Sequence, residues 1–230
     1  LSTWDNAIEL KEKLIEQKQK QKRGLMQLLL TGKKRLKGFN GDWEIASFGD
    51  VLKVLQKKPV SNPQDYYLLT VKLHLKGIEL TNKRPNITKN GRPYYIREKD
   101  ELLIGRQNFH NGGIGIVSEN VAGNIASNAI TSVTAMKGNI NYYYYYISNE
   151  NFYKKINYII GGTGQKEISE KEMKKLKLLI PKDIKEQIAI ANVLSTADKE
   201  IELHEKQLGE LKKQKKGLMQ LLLTGIVRVN

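Results

Sequence analysis

The segment KRGLMQLLLTG at residues 22–32 returns near the other end of the chain as KKGLMQLLLTG at residues 215–225. Residues 1–36 as a whole realign without a gap onto residues 194–229, with 22 identities in 36 positions. Both copies are rich in Leu, Lys, Glu and Gln, which favour a helix. The sequence therefore predicts one helical segment, present twice, on either side of an unrelated middle.

Apolar side chains in each copy recur at the seven-residue spacing of a coiled coil. Charged residues interrupt this seam at Lys11, Lys18 and Lys22 in the first copy and at His204 and Lys215 in the second. Because a helix this charged is marginal in isolation, we expect an antiparallel coiled coil with a partner helix from this chain or from another. The residues predicted to pair are Ile8, Ile15, Leu25 and Leu29 in the first copy and Ile201, Leu208, Leu211, Leu218 and Leu222 in the second.

The helix that contains the second copy has clear signals at both ends. Asp183 and Glu186 have the spacing of a capping box, which predicts a helix over residues 184–223. At ~1.5 Å per residue such a helix is roughly 60 Å long, so the terminal helices are expected to act as spacers. Gly32 and Gly225 stand where a glycine would end each copy.

Between the two copies, residues 38–182 are predicted to form one globular α+β domain with a mixed β-sheet, flanked by spacer helices within residues 1–37 and 183–230. Short β-rich runs alternate there with loops rich in Asn, Gly and Lys. Ser169 and Glu172 predict a further capped turn of helix. Strands are predicted at residues 67–73, 102–105, 114–117, 130–133 and 176–180, and helices at 140–147 and 151–159, although five consecutive tyrosines leave the first of these helices ambiguous with a strand.

Composition excludes several classes of protein. The 230 residues include no cysteine, which excludes a disulfide framework and a thiolate zinc site and fits a reducing, cytoplasmic location. No apolar run approaches the ~20 residues of a membrane span, so no membrane partner is expected. The formal net charge is +15, distributed as +6 over residues 1–37, +6 over residues 38–198 and +3 over residues 199–230. This excess favours an acidic polymer such as DNA as the partner.

The sequence offers no recognisable catalytic centre. Glycine clusters at residues 112–115 and 161–164 do not complete a nucleotide-binding motif. His74, His110 and His204 are too dispersed for a metal-binding motif. We therefore predict a non-catalytic protein without a cofactor or a metal site.

Three polar segments carry the donors that DNA recognition needs. Arginine forks match guanine edges and phosphates, whereas Asn and Gln amides pair with adenine. The tyrosines at 142–146 cannot share one face of a helix or strand, so we expect core packing of some and solvent exposure of others rather than a platform for base stacking. The predicted DNA-binding residues are Lys83, Arg84, Asn86, Lys89, Asn90 and Arg92 in the first segment, Arg106, Gln107 and Asn108 at the end of a strand, and Thr163, Gln165 and Lys166 in the third segment.

Several landmarks follow one another along the chain in a fixed order. They are Gly41-Asp42-Trp43-Glu44, Phe48-Gly49-Asp50-Val51, Gly161-Gly162-Thr163-Gly164-Gln165, Ile180-Pro181, Glu186-Gln187 and Leu223-Thr224-Gly225. Together they resemble the specificity subunits of type I restriction-modification systems, and the first two groups are similar to the opening of a target-recognition domain in that family. The resemblance covers essentially the whole chain, and its specificity lies in the order and spacing of the landmarks.

The resemblance implies a chain that recognises a DNA sequence and carries no chemistry of its own. Such a subunit normally holds two target-recognition domains, each reading one half of a split site in double-stranded DNA. Helices between the domains fix the gap and dock the methyltransferase subunits, and a restriction/translocase subunit completes the complex. This chain departs from the pattern because it has a single recognition domain between both helices.

Two arrangements follow from that departure. The chain is either the second half of a longer subunit or a half-subunit that forms a homodimer through its terminal helices and reads an interrupted palindrome. Two rival functions also stay open at this point. One is a coiled-coil scaffold that reads no DNA, and the other is a fragment of a fused enzyme with its methyltransferase on the same polypeptide.

Overall fold

The computed structural model describes residues 2–86, 91–159 and 167–224. Two long helices lie at the two ends of the chain and shorter elements fill the middle, which confirms the predicted α+β class. Two 3₁₀ helices occupy Pro63–Asp65 and Arg106–Asn111. In chain order the elements are α1 (Ser2–Leu29), β1 (Trp43–Ser47), α2 (Phe48–Val51), β2 (Leu52–Val54), β3 (Leu69–Val71), β4 (Ile78–Leu80), β5 (Tyr94–Ile96), β6 (Leu102–Gly105), β7 (Ile114–Ile116), β8 (Ile125–Ser127), β9 (Ile130–Ala135), α3 (Ile140–Ile147), α4 (Glu150–Tyr153), α5 (Ile156–Ile159), α6 (Glu170–Lys175), β10 (Lys177–Pro181) and α7 (Ile184–Leu223).

The chain divides into two compact units. One unit, the arms, combines the residues up to 28 with those from 192 onward, and the other, the middle unit, is Leu29–Ala191. The middle unit is wider than the predicted domain of residues 38–182, because it includes the last residue of α1 and the first two turns of α7.

In the arms, α1 and α7 run antiparallel. Asp5 near the start of α1 forms an ion pair with Lys215 near the end of α7, and Lys22 near the end of α1 pairs with Asp198. Lys18 pairs with Glu200, with 2.6 Å between Nζ and Oε1. The charged residues that interrupt the predicted seam are therefore paired across the two helices.

The two copies of the repeat make the same contacts from both sides. The offset of 193 residues converts Asp5 into Asp198 and Lys22 into Lys215, so the ion pairs Asp5–Lys215 and Lys22–Asp198 are one pair made twice. If the two copies changed places, the same two ion pairs would form again. These contacts therefore have the symmetry of a local two-fold axis.

A second set of contacts obeys the same relation. Glu12 pairs with Lys212, with 2.6 Å between Oε1 and Nζ, and Gln19 donates to Glu205, which is the equivalent of Glu12, over 3.5 Å. Lys11 and His204 occupy equivalent positions and meet each other, with 3.2 Å between Nζ and Nδ1. The local axis thus passes close to this last pair.

Burial of the predicted seam varies along the helices. Ile15 and Ile201 are buried, whereas Ile8, Leu25, Leu208, Leu211, Leu218 and Leu222 are half-buried. Leu29 is also buried, but it belongs to the middle unit. Gly32, the predicted glycine after the first copy, has φ = +70° as such a position requires, and Gly225 lies outside the described residues.

The centre of the middle unit is a four-stranded sheet with the strand order β2-β9-β6-β7. Smaller sheets pair β1 with β10, β3 with β4 and β5 with β8. All these ladders are antiparallel, and a parallel bridge joins Leu68 to Ile125. The first three residues of β6, Leu102, Leu103 and Ile104, are fully buried between β9 and β7.

The sequence predicted some elements with the correct bounds and others with different ones. The strands predicted at residues 67–73, 114–117, 130–133 and 176–180 correspond to β3, β7, β9 and β10 with shifted ends. The predicted bounds of α3, α7 and β6 are those of the structure. The single helix predicted at residues 151–159 is wrong, since the chain forms α4 and α5 instead. Between them, the Lys155 N–H donates to the oxygen of Phe152, three residues back, and this tighter turn ends the first helix.

The Glu-Gln landmark fastens the start of α7 within the middle unit. Arg35 donates from Nε and Nη2 to the buried carboxylate of Glu186, over 2.5 and 2.7 Å. Gln187 accepts from the Asn139 N–H and donates to the oxygen of Pro181. The predicted capping box is therefore not formed. The Asp183 carboxylate accepts the Lys185 N–H over 2.8 Å instead of the Glu186 N–H, and the Glu186 side chain binds Arg35 instead of the backbone.

The opening landmark also has a structural role. Trp43 begins β1 opposite Pro181, and Phe48 is completely buried. A Cβ on Gly49 would lie 3.0 Å from Cβ of Lys174, which is tighter than ordinary packing allows. The Asp50 carboxylate accepts from the Ser47 N–H and thereby caps α2. These residue types follow from close packing of α2 against α6.

Candidate nucleic-acid interface

The first predicted DNA-binding segment projects into solvent where the structure describes it. Lys83, Arg84, Asn86 and Arg92 are exposed, while Lys89 and Asn90 lie outside the described residues. Arg84 has a defined position, because its Nη1 donates to the oxygen of Gln64 over 2.5 Å. Its guanidinium also stacks on the ring of Tyr67, 5.1 Å from the centroid.

The second segment differs locally from its prediction. Arg106, Gln107 and Asn108 were expected at the end of a strand, but β6 ends at Gly105 and the three residues begin the 3₁₀ helix Arg106–Asn111. Arg106 and Gln107 are half-buried and Asn108 is exposed. The third predicted segment, with Thr163, Gln165 and Lys166, lies outside the described residues.

Two backbone hydrogen bonds link the turn at Asn128 and Ala129 to the end of the first segment and to the start of the second. Asn128 donates its N–H to the oxygen of Pro93, the residue after Arg92, over 3.2 Å. Arg106 donates its N–H to the oxygen of Ala129, also over 3.2 Å. Arg92 and Arg106 thus flank the same turn between β8 and β9, although 14 residues separate them in the sequence.

A cleft of about 230 Å³ opens beside this turn, at the end of the central sheet. It collects residues from the ends of β2, β5 and β6 and from the start of β9. Three of its side chains are cationic and one is acidic, and several others carry amides or hydroxyls. The lining residues are Val54, Leu55, Gln56, Lys57, Tyr95, Arg97, Arg106, Asn128, Ile130, Thr131, Ser132 and Glu170.

Buried charges form the floor beside this cleft. Glu101 is 4% exposed and accepts from Lys57 and from the hydroxyl of Ser132. Arg97 is 3% exposed and donates from Nη2 to the oxygen of Ile130 over 2.8 Å. Burial lowers the pKa of the Arg97 guanidinium, and the Glu101 carboxylate opposes that shift. The charges of Arg97, Lys57 and Glu101 in this floor are therefore largely satisfied by one another and by neighbouring polar groups.

Three buried polar atoms of residues that line the cleft lack a hydrogen-bond partner within the part of the chain that the structure describes. They are Nε of Arg97, Nε of Arg106 and Oγ1 of Thr131. Sequence reasoning singled out Arg106 but missed Arg97 and Thr131, and it also missed Lys57 and Glu101. Arg97 follows Tyr94–Ile96 directly, so nothing in the local pattern separates it from an ordinary surface arginine at the end of a strand.

The tyrosines of α3 belong to the packing of the middle unit. Tyr142, Tyr143 and Tyr145 are buried, as expected for some of the rings, whereas Tyr144 and Tyr146 are half-buried. Tyr146 accepts the Leu179 N–H over 2.9 Å. Desolvation raises the pKa of Tyr143 to about 12. These rings are unsuited to stacking on bases.

Neither a metal-binding group nor a membrane-spanning helix occurs among the described residues. Among residues 2–86, 91–159 and 167–224, no group of three or more His, Asp or Glu side chains is placed to hold a metal ion. None of the described helices is long and apolar enough to cross a membrane.

The fold and the cleft define a modular protein. An α+β unit carries a polar, partly cationic cleft, and two antiparallel helices contain the two copies of one repeated segment. The family model of the type I restriction modification DNA specificity domain matches residues 40–213. The chain therefore belongs to that family.

Two specificity subunits from Methanocaldococcus jannaschii are similar along the whole chain. The MjaX type I restriction enzyme specificity subunit is 28% identical over 244 residues, which cover 100% of this chain and 56% of that protein. The MjaVIII specificity subunit is 25% identical over 250 residues, with 100% of this chain and 59% of the relative covered. The chain thus spans little more than half the length of these relatives.

Solved structures of the same kind share the fold. The S subunit of a type I restriction-modification system from M. genitalium superposes with a TM-score of 0.64 at 16% identity, over 94% of this chain and 57% of that one. The HsdS subunit from Thermoanaerobacter tengcongensis gives a TM-score of 0.56 at 14% identity, over 96% and 55%.

Proposed function

We propose that this chain is the DNA-sequence-reading subunit of a type I restriction-modification complex and that it positions methyltransferase and restriction subunits on a split site. The observation that carries the proposal is a polar cleft lined by Arg106, beside a turn whose backbone is bonded to Arg106 and to Pro93, the residue after Arg92, in a member of this family. Modification and cleavage belong to the partner subunits.

Within the middle unit, exposure divides the candidate residues into two groups. Lys83 and Arg92 are exposed cations and suit phosphate contacts, which give affinity without sequence preference. Arg106 and Gln107 are half-buried beside the cleft, and their limited freedom suits hydrogen bonds to base edges. We assign base reading to the second group and backbone contact to the first.

The assignment is testable by comparing cognate and random DNA. Arg106→Ala should weaken binding to the duplex selected by the wild type by about 1–3 kcal/mol and leave random duplex nearly unchanged. Arg92→Ala should weaken both duplexes equally and lower the salt dependence by about one counterion. Lys99→Ala is the matched control, because Lys99 is exposed and paired with Glu119. A wild type without sequence preference at moderate salt would contradict the proposed function.

The arms offer two equivalent surfaces for the methyltransferase subunits. Leu10 and Leu203 occupy the same repeat position, and both are exposed at 67% and 54%. Leu28 and Leu221 form a second equivalent pair, each 40% exposed. An apolar side chain that is exposed in both copies contributes nothing to the pairing of α1 with α7. We therefore propose that the exposed leucines of the first copy contact one methyltransferase subunit and those of the second copy contact another.

A dimer of this chain would supply two recognition domains. Because the arm contacts are repeated, α1 of one chain could make all of them with α7 of a second chain. Pairing α1 with a second α1 is less favourable, since Lys11 would then face another Lys11 instead of His204. We propose that arms always associate as a first copy with a second copy, whether within one chain or between two.

Cysteine cross-linking separates these cases, because the chain contains no cysteine. In a Lys11→Cys, His204→Cys double variant, oxidation should join the two copies. A monomeric product on a denaturing gel means pairing within one chain, and a dimeric product means exchange between chains. Each single variant is the control and should give no covalent dimer. A dimer from Lys11→Cys alone would overturn the pairing rule.

A further inference from the structure

Arg106 has its backbone fixed on both sides. Its N–H donates to the oxygen of Ala129 over 3.2 Å, and its oxygen accepts the Ile168 N–H over 3.3 Å. The first bond reaches the turn between β8 and β9, and the second reaches the residue two positions before α6. The side chain therefore starts from a defined point beside the cleft.

One carboxylate meets both half-buried candidate residues. Oε1 of Glu167 lies 2.8 Å from Nε of Arg106, and Oε2 accepts from Nε2 of Gln107 over 3.4 Å. A second carboxylate, that of Glu170, lies 3.8 Å from Nη1 of Arg106. The arginine predicted to read DNA thus carries two acidic neighbours from a part of the sequence about 60 residues away.

The geometry holds the guanidinium without using up its donors. The Nε–H of Arg106 does not point at the Glu167 oxygen, and it has no hydrogen-bond acceptor within the described residues. The attraction is therefore mainly electrostatic, and the outer N–H groups remain available for a ligand. Both side chains are partly exposed, 23% for Arg106 and 33% for Glu167, so the pair adds little to stability.

A site selected only for affinity to phosphate would not place two carboxylates within 4 Å of its arginine. Two negative charges outweigh the single positive charge of Arg106 and repel a phosphate. A base edge is neutral, so it does not suffer that repulsion, and a bidentate arginine contact suits guanine. Restricting the guanidinium also reduces the entropy lost when it binds.

We propose that Glu167 is a positioning residue that makes Arg106 select base edges over backbone phosphates. This inference rests on the proposed function, since it assigns a role within DNA reading. Gln107, bound to the other oxygen of the same carboxylate, is oriented together with Arg106. Sequence specificity in the cleft then comes from an arginine–glutamate unit and not from the arginine alone.

The test measures specificity and affinity separately in the full-length chain. The probes are the duplex that the wild type selects from a random library and a scrambled duplex of equal length. Glu167→Gln should bind the scrambled duplex several-fold more tightly at low salt and the selected duplex more weakly, so that their affinity ratio falls about tenfold. Glu119→Gln is the control for the charge change, because Glu119 is exposed and forms an ion pair with Lys99.

The affinity ratios of the variants decide whether Glu167 acts through Arg106. The proposal is supported if the loss of discrimination disappears in an Arg106→Ala background, as it must if Glu167 acts through Arg106. It is overturned if Glu167→Gln behaves like Glu119→Gln or if its effect persists without Arg106. A wild type that does not discriminate at all would instead remove the proposed function. Fluorescence of Trp43, recorded in a Trp4→Phe background, checks that each variant keeps the middle unit folded.

Discussion

The arms and the middle unit use charge in opposite ways. In the arms, the ion pair Glu12–Lys212 is about half exposed and is nearly repeated by Gln19 and Glu205, and the pair Asp5–Lys215 is repeated by Lys22–Asp198. In the middle unit, Arg35–Glu186 and Lys57–Glu101 join a partly covered cation to a buried carboxylate, and each pair is made once. We propose that the repeated contacts can form within one chain or between two, whereas contacts of the second kind fix one arrangement.

This difference matches the division of labour that we propose. A spacer must pair reliably and repeatedly, and a duplicated set of weak contacts does that without fixing which chain supplies the partner. A recognition unit must hold a few side chains within a narrow range of positions, which requires a packed support. The two tryptophans allow each part to be followed separately, because Trp4 lies in the arms and Trp43 in the middle unit.

The largest effect is expected from Glu186→Ala. Its carboxylate is 1% exposed, and its removal leaves the Arg35 guanidinium without its bidentate partner. We expect the middle unit to lose about 3 kcal/mol of unfolding free energy. Urea unfolding followed by Trp43 fluorescence measures this loss, and a change below 1 kcal/mol would mean that the buried pair is not a support. Glu44→Ala, an exposed neighbour on β1, is the control.

A smaller effect is expected in the arms from truncation of the seam. Ile201→Ala should destabilise the arms by about 2 kcal/mol, since this side chain is buried. Ile8→Ala, at the same repeat position in the first copy, should cost about half as much because Ile8 is only half-buried. Unfolding followed by Trp4 fluorescence in a Trp43→Phe background gives both values. Equal losses would show that the two copies are buried alike.

The smallest effect is expected from an exposed ion pair. Lys212→Ala removes the partner of Glu12, and both side chains are about half exposed. The arms should lose at most about 0.5 kcal/mol, and less at high salt. A loss comparable with that of Glu186→Ala would erase the contrast between the two parts of the molecule.

Much of this contrast can be predicted from the sequence, but the residues that pair with each charged side chain cannot. The repeat predicts the helices, and the seven-residue spacing predicts that they pair. The lysines at 11, 18 and 22 read as interruptions, because the sequence does not say which residues of the other copy they face. Antiparallel pairing converts all three into contacts with acidic or polar residues.

For a similar reason, the residues of the candidate site could be predicted from the sequence only in part. Arg106 and Gln107 could be singled out because they follow an apolar strand. Glu167 could not, since its contact with them spans about 60 residues and depends on the course of the chain between β6 and α6. The same holds for Glu101 and Lys57, which are 44 residues apart. Local patterns predict elements, whereas a site assembled by tertiary contacts needs the fold.

The most direct test of the account is to exchange the middle unit. Residues 29–191 would be replaced by the corresponding segment of the MjaX relative, and the methylated sequence would be mapped in cells that also express the methyltransferase partner of the original chain. We predict that the recognised bases change while the gap between them and the assembly with the methyltransferase stay the same. An unchanged methylated sequence, or a changed gap with unchanged bases, would contradict the assignment of reading to the middle and spacing to the arms.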